Sequence, residues 1–486
     1  MKLMKKMGVA WGAALLLLSP ALSAQEFLTG YFLPGNDFAF RMNPAFQNER
    51  NSFSLVLGDI GAGVQSPLGV SSVLYPVQER LYTFLNKVIP AETFMSGLKQ
   101  SNPVSVDLQV DVLTLGFWDH RNFWTVDINV RSANGIILPR DGFRLLKEGT
   151  VSDTRFDLSG TSLRSGTYLE AAVGMSHSFE NGLNVGARVK ALVGLMEMDA
   201  RFRQLDIELS GEQWNVKANG KAALSSPAFS VSPSYNGGAF SLDQVAFDAS
   251  RLAPCGYGAA LDAGFSWDVL PFLTVSGALL DLGGIRWNRE ITASGQETAI
   301  TWNPSEKEPL SFPPDEASWQ EDFSELQDLM KGEFFYLENE GKPAFQMLPF
   351  RMHLGAQARV PSYDRLSLGL LYTLRSGNGY GWNEGRVSLN WTPFDLLSLS
   401  GSASAHSFGE SLGAAISFHP GGIHLFVGTD FLFFHGVNIS PLLGDVPPSL
   451  QKYLVLPRGP LNLDLRVGLS LSLGHRRLDY KRSYIL

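Results

Sequence analysis

The stretch of sequence that decides the fold lies near the end of the chain, where residues 461–473 read LNLDLRVGLSLSL. Apolar side chains occupy every odd-numbered position, and polar or small ones, Asp464 and Arg466 among them, occupy every even-numbered position. In an extended strand these two sets face opposite sides, whereas the 3.6-residue period of a helix would mix them. A tilted strand crosses a bilayer with about 9–11 residues, so this stretch is long enough to span a membrane.

Similar alternation recurs along the chain, for example at 366–374 and at 124–131. Fourteen strands are predicted in this way, near 52–66, 104–117, 122–134, 166–179, 183–196, 256–268, 272–284, 350–360, 364–374, 384–391, 396–405, 411–418, 423–431 and 461–473. Short turns, such as the hairpin signal Asn181-Gly182, alternate with longer connections near 67–103, 135–165, 197–255, 285–349, 375–383, 406–410 and 432–459. This pattern predicts an all-β fold, a closed transmembrane antiparallel β-barrel of about 14 strands with both termini on the periplasmic side.

The longer connections carry patterns of their own. Apolar residues at helical spacing predict helices within 75–98 and 315–330, and a further hairpin is expected at 200–222 with its turn near Gly211. The helices are expected as insertions in extracellular loops, where they either cap the barrel mouth or gate it. Beside the short turns lie aromatic pairs that fit an interfacial girdle, namely Phe117-Trp118 with Phe123-Trp124, Trp267 with Phe272, and Trp391 with Phe394.

Composition and the N-terminus bear on the location of the protein. Charged residues make up 18% of the chain, against about 25% in an average soluble domain. Basic residues at 2, 5 and 6, an apolar run at 9–18 and small residues at 21–24 predict a cleaved secretory signal peptide. We therefore expect four parts: a signal peptide at 1–24, an N-terminal plug at 25–50, the barrel at 51–475 and a periplasmic tail at 476–486. The expected location is the cell outer membrane, in contact with its lipid.

The lumen-facing positions of the predicted strands carry charge. The charged residues on these faces are Asp107, Asp111, Asp127, Arg131, Arg188, Lys190, Arg386, Asp464 and Arg466. They either pair across the lumen and fix the shape of the barrel, or line a path and bind the polar head of a ligand. The net charge of −8 argues against nucleic-acid binding.

Signals for catalysis or for a metal are weak. The single cysteine, Cys255, excludes an intramolecular disulfide and cysteine-rich zinc sites. The eight histidines are scattered without metal-ligand spacing, and no motif surrounds a Ser-His pair. We expect neither an enzyme nor a cofactor nor a metal site.

Several segments resemble known families. Asn43-Pro44-Ala45, and the run at 280–287 that reads LDLGGIRW, resemble the long-chain fatty-acid transporter family of outer-membrane barrels. The chain looks more closely like a domain-of-unknown-function family of such barrels, through the segment that ends at Phe46, a helix at Tyr75-Pro76, a hairpin at 176–194 and a strand at 364–369. The resemblance implies fourteen strands and an N-terminal plug, and a relative of the class serves as an accessory component of a secretion system.

Three functions follow as hypotheses, of which an open general porin is the third. The first is passive transport of a hydrophobic, fatty-acid-like small molecule, for which apolar side chains should line a pocket beside the plug at Phe38, Phe40 and Phe46. The second is a structural or adaptor role in a secretion or surface assembly, with a protein partner at the extracellular loops or at the periplasmic face. An adaptor would expose apolar loop residues, for which Phe323, Leu326 and Met330 are candidates.

Overall fold

The computed structural model describes residues 26–56, 58–77, 80–84, 86, 88–148, 154–210, 213–231, 245–294, 298–302, 336–337, 341–377, 380–432, 436–438, 455–457, 459 and 460–474. The predicted signal peptide at 1–24, the tail at 476–486 and the helical pattern at 315–330, with Phe323, Leu326 and Met330, lie outside the described residues.

Fourteen strands form one antiparallel sheet in which each strand pairs with its neighbours in the chain. They are β1 (Asn51–Leu55 and Asp59–Gly69), β2 (Ser101–Asp119), β3 (Asn122–Pro139), β4 (Ser162–Ser178), β5 (Leu183–Ser210), β6 (Gly256–Leu270), β7 (Leu273–Trp287), β8 (Phe350–Val360), β9 (Tyr363–Gly377), β10 (Tyr380–Phe394), β11 (Leu397–His406), β12 (Gly409–Phe418), β13 (Ile423–Leu432) and β14 (Pro460–Leu473). The sheet closes because β14 pairs with β1 as well as with β13. The predicted fourteen-stranded barrel is confirmed.

Shorter elements lie between these strands. The helices are α1 (Val70–Val73), α2 (Ala91–Ser96) and α3 (Arg140–Glu148), with 3-10 turns at Leu28–Gly30, Ala39–Arg41 and Ala249–Arg251. The additional strands are Leu74–Val77, Arg80–Thr83, Thr154–Asp157, Gln213–Ser225, Phe229–Val231, Val245–Phe247, Ile291–Ser294, Thr298–Trp302, Tyr336–Leu337, Ala344–Met347, Gly436–Asn438 and Val455–Pro457. No helix in the described part of the chain is long and apolar enough to cross a membrane.

The helix expected over 75–98, including the one at Tyr75-Pro76, is wrong for most of its length. Leu74–Val77 pairs with Arg80–Thr83 as a hairpin, and among the described residues of 75–98 only those of α2 are helical. The prolines at 76 and 90 explain the break, because proline lacks the N–H of a helix interior and disfavours helix at the preceding residue. Phe84, one of the apolar residues of that pattern, instead joins a cluster with Phe143 of α3, in which it stacks on Phe94 with ring centroids 4.2 Å apart.

The loop predictions need one further correction. The hairpin expected at 200–222 is present, since Gln213–Ser225 pairs with the end of β5. The connections placed at 375–383 and 406–410 are not long. There β9 and β10 extend to residues 377 and 380, and β11 and β12 to residues 406 and 409, so only two residues join each pair.

The two faces of the barrel differ as the alternation predicts. On β14, Leu469 and Leu471 are exposed on the outside while Arg466 and Ser470 are buried inside. Most of the aromatic pairs beside the short turns are also exposed on the outer surface, including Trp267 and Trp391. Phe123 and Trp118 are exceptions. Phe123 is buried and packs against Trp118 at 5.1 Å between ring centroids, and the Trp118 indole N–H donates to the Asn48 carbonyl oxygen at 2.9 Å.

Candidate functional site

The N-terminal segment, residues 26–50, lies inside the barrel. The backbone N–H groups of Leu28 and Thr29 donate to the Asp430 carboxylate on β13 at 2.8 and 2.7 Å. The Tyr31 hydroxyl lies 3.2 Å from that of Ser276 on β7. Because β7 and β13 belong to distant parts of the sheet, contacts with both place the segment in the lumen.

The Asn43-Pro44-Ala45-Phe46 stretch is fixed on the β5–β6 wall. Asn43 is fully buried, and its side-chain amide donates to the backbone carbonyl of Phe265 at 3.0 Å. The side-chain oxygen of Asn43 accepts a hydrogen bond from the Ala45 N–H at 3.0 Å, which closes a tight local turn. Ala45 is buried, and Phe46 meets the Tyr31 ring edge-on at 5.0 Å.

Two glycines of the wall allow this close approach. A Cβ atom on Gly264 would lie 2.2 Å from the side-chain oxygen of Asn43. A Cβ atom on Gly186 would lie 2.1 Å from the Pro44 carbonyl oxygen. Only glycine leaves room for the segment at these two positions, so the surface of β5 and β6 is complementary in shape to the segment.

Phe38 and Phe40 do not form the apolar pocket expected beside the plug. Phe40 is buried between two guanidinium groups, those of Arg41 and Arg188, at 5.7 and 5.3 Å from its ring centroid. Phe38 packs against Phe426 at 6.0 Å between centroids. The cavity of about 460 Å³ that Phe38 borders is lined mainly by charged side chains.

Arg41, which the sequence analysis did not single out, is the main charged anchor of the segment. Its guanidinium lies 2.8 Å from Asp59 and 2.7 Å from Asp111, with Asp127 at 3.6 Å. Burial alone would lower the pKa of Arg41, but these three carboxylates outweigh it and raise the pKa above its ordinary value. Arg466 binds Asp59 from the other side at 2.7 Å.

The network continues across β3 to β7. Arg188 pairs with Asp127 at 2.7 Å and with Asp262 at 2.9 Å, and Lys190 pairs with Asp262 at 2.8 Å. Arg131 reaches Glu170 at 3.1 Å. The predicted lumen-facing residues Asp111, Asp127, Arg131, Arg188, Lys190 and Arg466 thus belong to one ion-pair network.

Asp281 is a hub that sequence reasoning missed. It accepts from Lys190 and Arg351, each at 2.5 Å, and it lies 3.3 Å from Arg131. A bulge in β7 turns it inwards: its φ is 60°, the strand register shifts there, and its N–H donates to Asp262 at 2.8 Å. The only sequence signal was the LDLGG run, in which strict alternation would have turned the carboxylate outwards.

Glu26, a second residue that sequence reasoning missed, brings the start of the segment into this network. It pairs with Arg351, and one of its oxygens lies 2.9 Å from His353 Nε2. Burial alone would raise the pKa of Glu26, but Arg351 and His353 outweigh it and lower the pKa from 4.5 to about 2. Glu26 therefore stays charged at neutral pH.

The remaining predicted charges lie apart from this network. Arg386 pairs with Glu384 at 2.5 Å and with Asp430 at 3.2 Å, and its guanidinium donates to the Thr29 hydroxyl at 2.8 Å. Asp464 accepts from the Asp430 N–H at 2.7 Å. Asp107 pairs with Arg375 at 2.7 Å.

The arrangement holds a peptide segment of the chain inside the barrel. Within the described ranges, no group of three or more His, Cys, Asp or Glu side chains could hold a metal ion. Cys255 is buried, and its thiol lies 3.3 Å from the Ser225 carbonyl oxygen.

Sequence comparison identifies the family. Residues 44–430 match a protein family described as "Family of unknown function (DUF5723)". The chain belongs to this family. The resemblance to a domain-of-unknown-function family is therefore confirmed. No curated protein shows significant similarity to the chain.

Several solved structures resemble the chain at low identity. The toluene transporter TbuX of Ralstonia pickettii is 9% identical, with 90% of this chain and 94% of that chain covered and a TM-score of 0.39. The P. putida toluene transporter TodX is 8% identical over 91% and 93%, with a TM-score of 0.40. A Pseudomonas aeruginosa FadL homologue is 12% identical over 91% and 95%, with a TM-score of 0.38. Scores this low carry no argument about function, and the barrel is established by its strand pairing.

Proposed function

We propose that this protein lies in the outer membrane and admits a small hydrophobic molecule through its lumen, with the N-terminal segment as a movable plug. The apolar outer face of the barrel suits lipid, and strands can cross a bilayer only when the sheet is closed. A barrel of this width that is not an open pore needs its lumen filled, and the N-terminal segment fills it.

One observation carries the proposal: the segment covers an apolar part of the luminal wall. Phe27 stacks on Phe426 of β13 at 5.8 Å, in a cluster that includes Ala415 of β12. Leu28 and Tyr31 pack in a second cluster with Trp382 of β10. These aromatic and aliphatic side chains occupy the place that a hydrophobic molecule would take, so the ligand would compete with the segment for the wall.

The two sides of the segment differ in how easily they can be released. Separating a buried ion pair such as Arg41 with Asp111 costs about 3–5 kcal/mol, because each charge is left without a partner. Breaking apolar contacts costs about 25 cal/mol per Å² of apolar area that becomes exposed, and an incoming apolar ligand covers that area again. We therefore expect the part around Arg41 to remain docked while the part from Glu26 to Tyr31 opens, which also requires release of the Glu26–Arg351 pair and of the hydrogen bonds to Asp430.

A reversible cross-link tests whether the segment must move. The hydroxyl oxygens of Thr29 and Ser402 lie 2.8 Å apart, so cysteines at both positions bring two sulfur atoms within reach of each other. The double variant is made with Cys255→Ser to remove the native thiol. Uptake of the fluorescent probe N-phenyl-1-naphthylamine by intact cells is then measured before and after reduction.

The oxidised double variant is expected to lower uptake to that of cells lacking the barrel, and reduction is expected to restore it. The single variants Thr29→Cys and Ser402→Cys are the matched controls, because each loses one of the same hydroxyls without forming a cross-link. Equal uptake by the oxidised and reduced forms would refute a moving plug.

The adaptor role keeps one specific observation in its favour. The cavity beside Phe38 is lined mainly by charged groups, and the ion pairs of Arg41 hold the segment as if it were fixed. Native mass spectrometry on the barrel purified from its own membrane separates the two proposals. A stoichiometric apolar ligand supports transport, and an empty barrel bound to another protein supports the adaptor.

A further inference from the structure

A second cavity lies between the N-terminal segment and the wall. The space there, part of it open to solvent, amounts to about 590 Å³. Leu28 of the segment, Leu108 of β2 and Tyr168 of β4 give it an apolar part. Trp382 of β10 and Arg351 of β8 line it as well, so the cavity joins the apolar wall to the charged network.

Three buried hydrogen-bond donors of the cavity lining have no acceptor in the part of the chain that the structure describes. They are the indole N–H of Trp382, the side-chain amide nitrogen of Gln65 and the Nε of Arg351. Trp382 and Gln65 are each 3% exposed, and Arg351 is 8% exposed. A buried donor without an acceptor is costly, and three around one cavity match a ligand that supplies acceptor atoms.

The charges around the cavity disfavour an anionic ligand. Arg351 is already paired with Glu26 and Asp281, and Arg375 with Asp107. These three carboxylates line the same cavity as Arg131, Arg351 and Arg375, so the lining has no excess positive charge to offset the burial of a carboxylate ligand. A neutral acceptor, such as a carbonyl oxygen, can take the free donors without adding a negative charge.

We propose that this cavity binds the polar end of a neutral, hydrophobic small molecule that carries a carbonyl or ether oxygen. The oxygen accepts from Trp382 and Gln65, and the apolar body takes the space now held by Leu28. This inference rests on the proposed transport of a hydrophobic molecule and names the class of substrate: an oxygen-bearing neutral compound rather than a plain hydrocarbon or a carboxylate.

Three probes of similar size test the preference: acetophenone, ethylbenzene and benzoate. Binding to the purified full-length barrel is measured by titration calorimetry in detergent, with empty micelles as the blank. One or two hydrogen bonds from buried neutral donors correspond to about tenfold tighter binding of acetophenone than of ethylbenzene. Benzoate is expected to bind most weakly of the three.

The variants Trp382→Phe and Gln65→Leu remove the two neutral donors while keeping similar side-chain volume. Together they are expected to reduce the acetophenone preference from about tenfold to about twofold, with ethylbenzene binding unchanged. Trp391→Phe is the matched control, since it makes the same change on the outer face, where Trp391 bonds Tyr363 at 3.2 Å. It should leave the preference as it is. The heat-dependent gel mobility of each variant shows whether the barrel has folded.

The outcomes separate this inference from the proposed function. If acetophenone and ethylbenzene bind equally well, or if the double variant keeps the full preference, the assigned site is wrong while transport of hydrophobic molecules stands. Tightest binding of benzoate would also overturn it. If none of the three probes binds the folded barrel, both the site and the conduit are refuted.

Discussion

Replacing Arg41 with methionine should loosen the N-terminal segment without unfolding the barrel. Methionine keeps much of the length of the side chain and removes its charge. The guanidinium is only 9% exposed and serves Asp59, Asp111 and Asp127, so its loss strips a cation from the centre of a buried network.

The size of the destabilisation depends on which partners each carboxylate retains in Arg41→Met. Asp59 retains Arg466, and Asp127 retains Arg188. Asp111 loses the cation it pairs with in the described part of the chain and keeps only hydroxyl donors, such as Ser54 at 2.6 Å. Breaking a buried ion pair costs about 3–5 kcal/mol. We expect a cost near the lower end of this range, because Asp59 and Asp127 each keep another cation. About 3 kcal/mol corresponds to roughly a hundredfold or more in the equilibrium between docked and undocked segment.

Hydrogen exchange of the backbone amides measures this directly. Amides of residues 26–48 should exchange roughly a hundredfold faster in Arg41→Met, since exchange reports local opening. Those of β14 should keep their wild-type rates. Arg365→Met is the control, because Arg365 pairs with Asp395 at an exposed turn where ion pairs contribute about 0–1 kcal/mol.

A double variant checks the cause. Adding Asp111→Asn to Arg41→Met removes the carboxylate that was left without a cation, so part of the protection should return. The reasoning is refuted if exchange in the segment is unchanged by Arg41→Met. It is refuted equally if β14 and the segment exchange faster together, because Arg41 would then support the barrel rather than the segment.

Three other predictions concern the same region. Gly186→Ala places a Cβ atom about 1 Å too close to the Pro44 carbonyl, and this overpacking costs about 1–3 kcal/mol, so amide exchange in the segment should become faster. Gly401→Ala is the control, because a Cβ atom there meets open space and should leave exchange unchanged. The pKa of Glu26 is lowered from 4.5 to about 2, so its contribution to docking is complete above about pH 4.5 and is lost as the pH falls towards 2. Amide exchange in the segment, corrected for intrinsic rates, should therefore be the same at pH 7 and at pH 5. Faster exchange at pH 5 would contradict this. Asp281→Asn keeps a residue that tolerates positive φ but removes the negative charge shared by three cations. The free energy of unfolding, measured in urea, should fall by about 3–5 kcal/mol. An unchanged unfolding midpoint would refute the central role of Asp281 in the network.

Prediction from the sequence succeeded where a local rule applies. Alternation located all fourteen barrel strands and placed Arg188 and Lys190 on the inner face, since the side of a strand follows from the parity of position alone. It failed where the chain departs from that parity. The bulge at Asp281 turns inwards a carboxylate that strict alternation would place outside, and the prolines at 76 and 90 end a pattern that looked helical.

The sequence by itself determined the closed barrel, its strand count and the polarity of its two faces, because these depend on neighbours along the chain. Only the tertiary structure decided which charges meet. Arg41 lies 70 residues from Asp111, and Asp59 lies 407 residues from Arg466. No periodicity links such positions. They come together because closure of the sheet brings the last strand beside the first and encloses the N-terminal segment. The pairing of partners, and with it the way the lumen is filled, is therefore a property of the closed barrel.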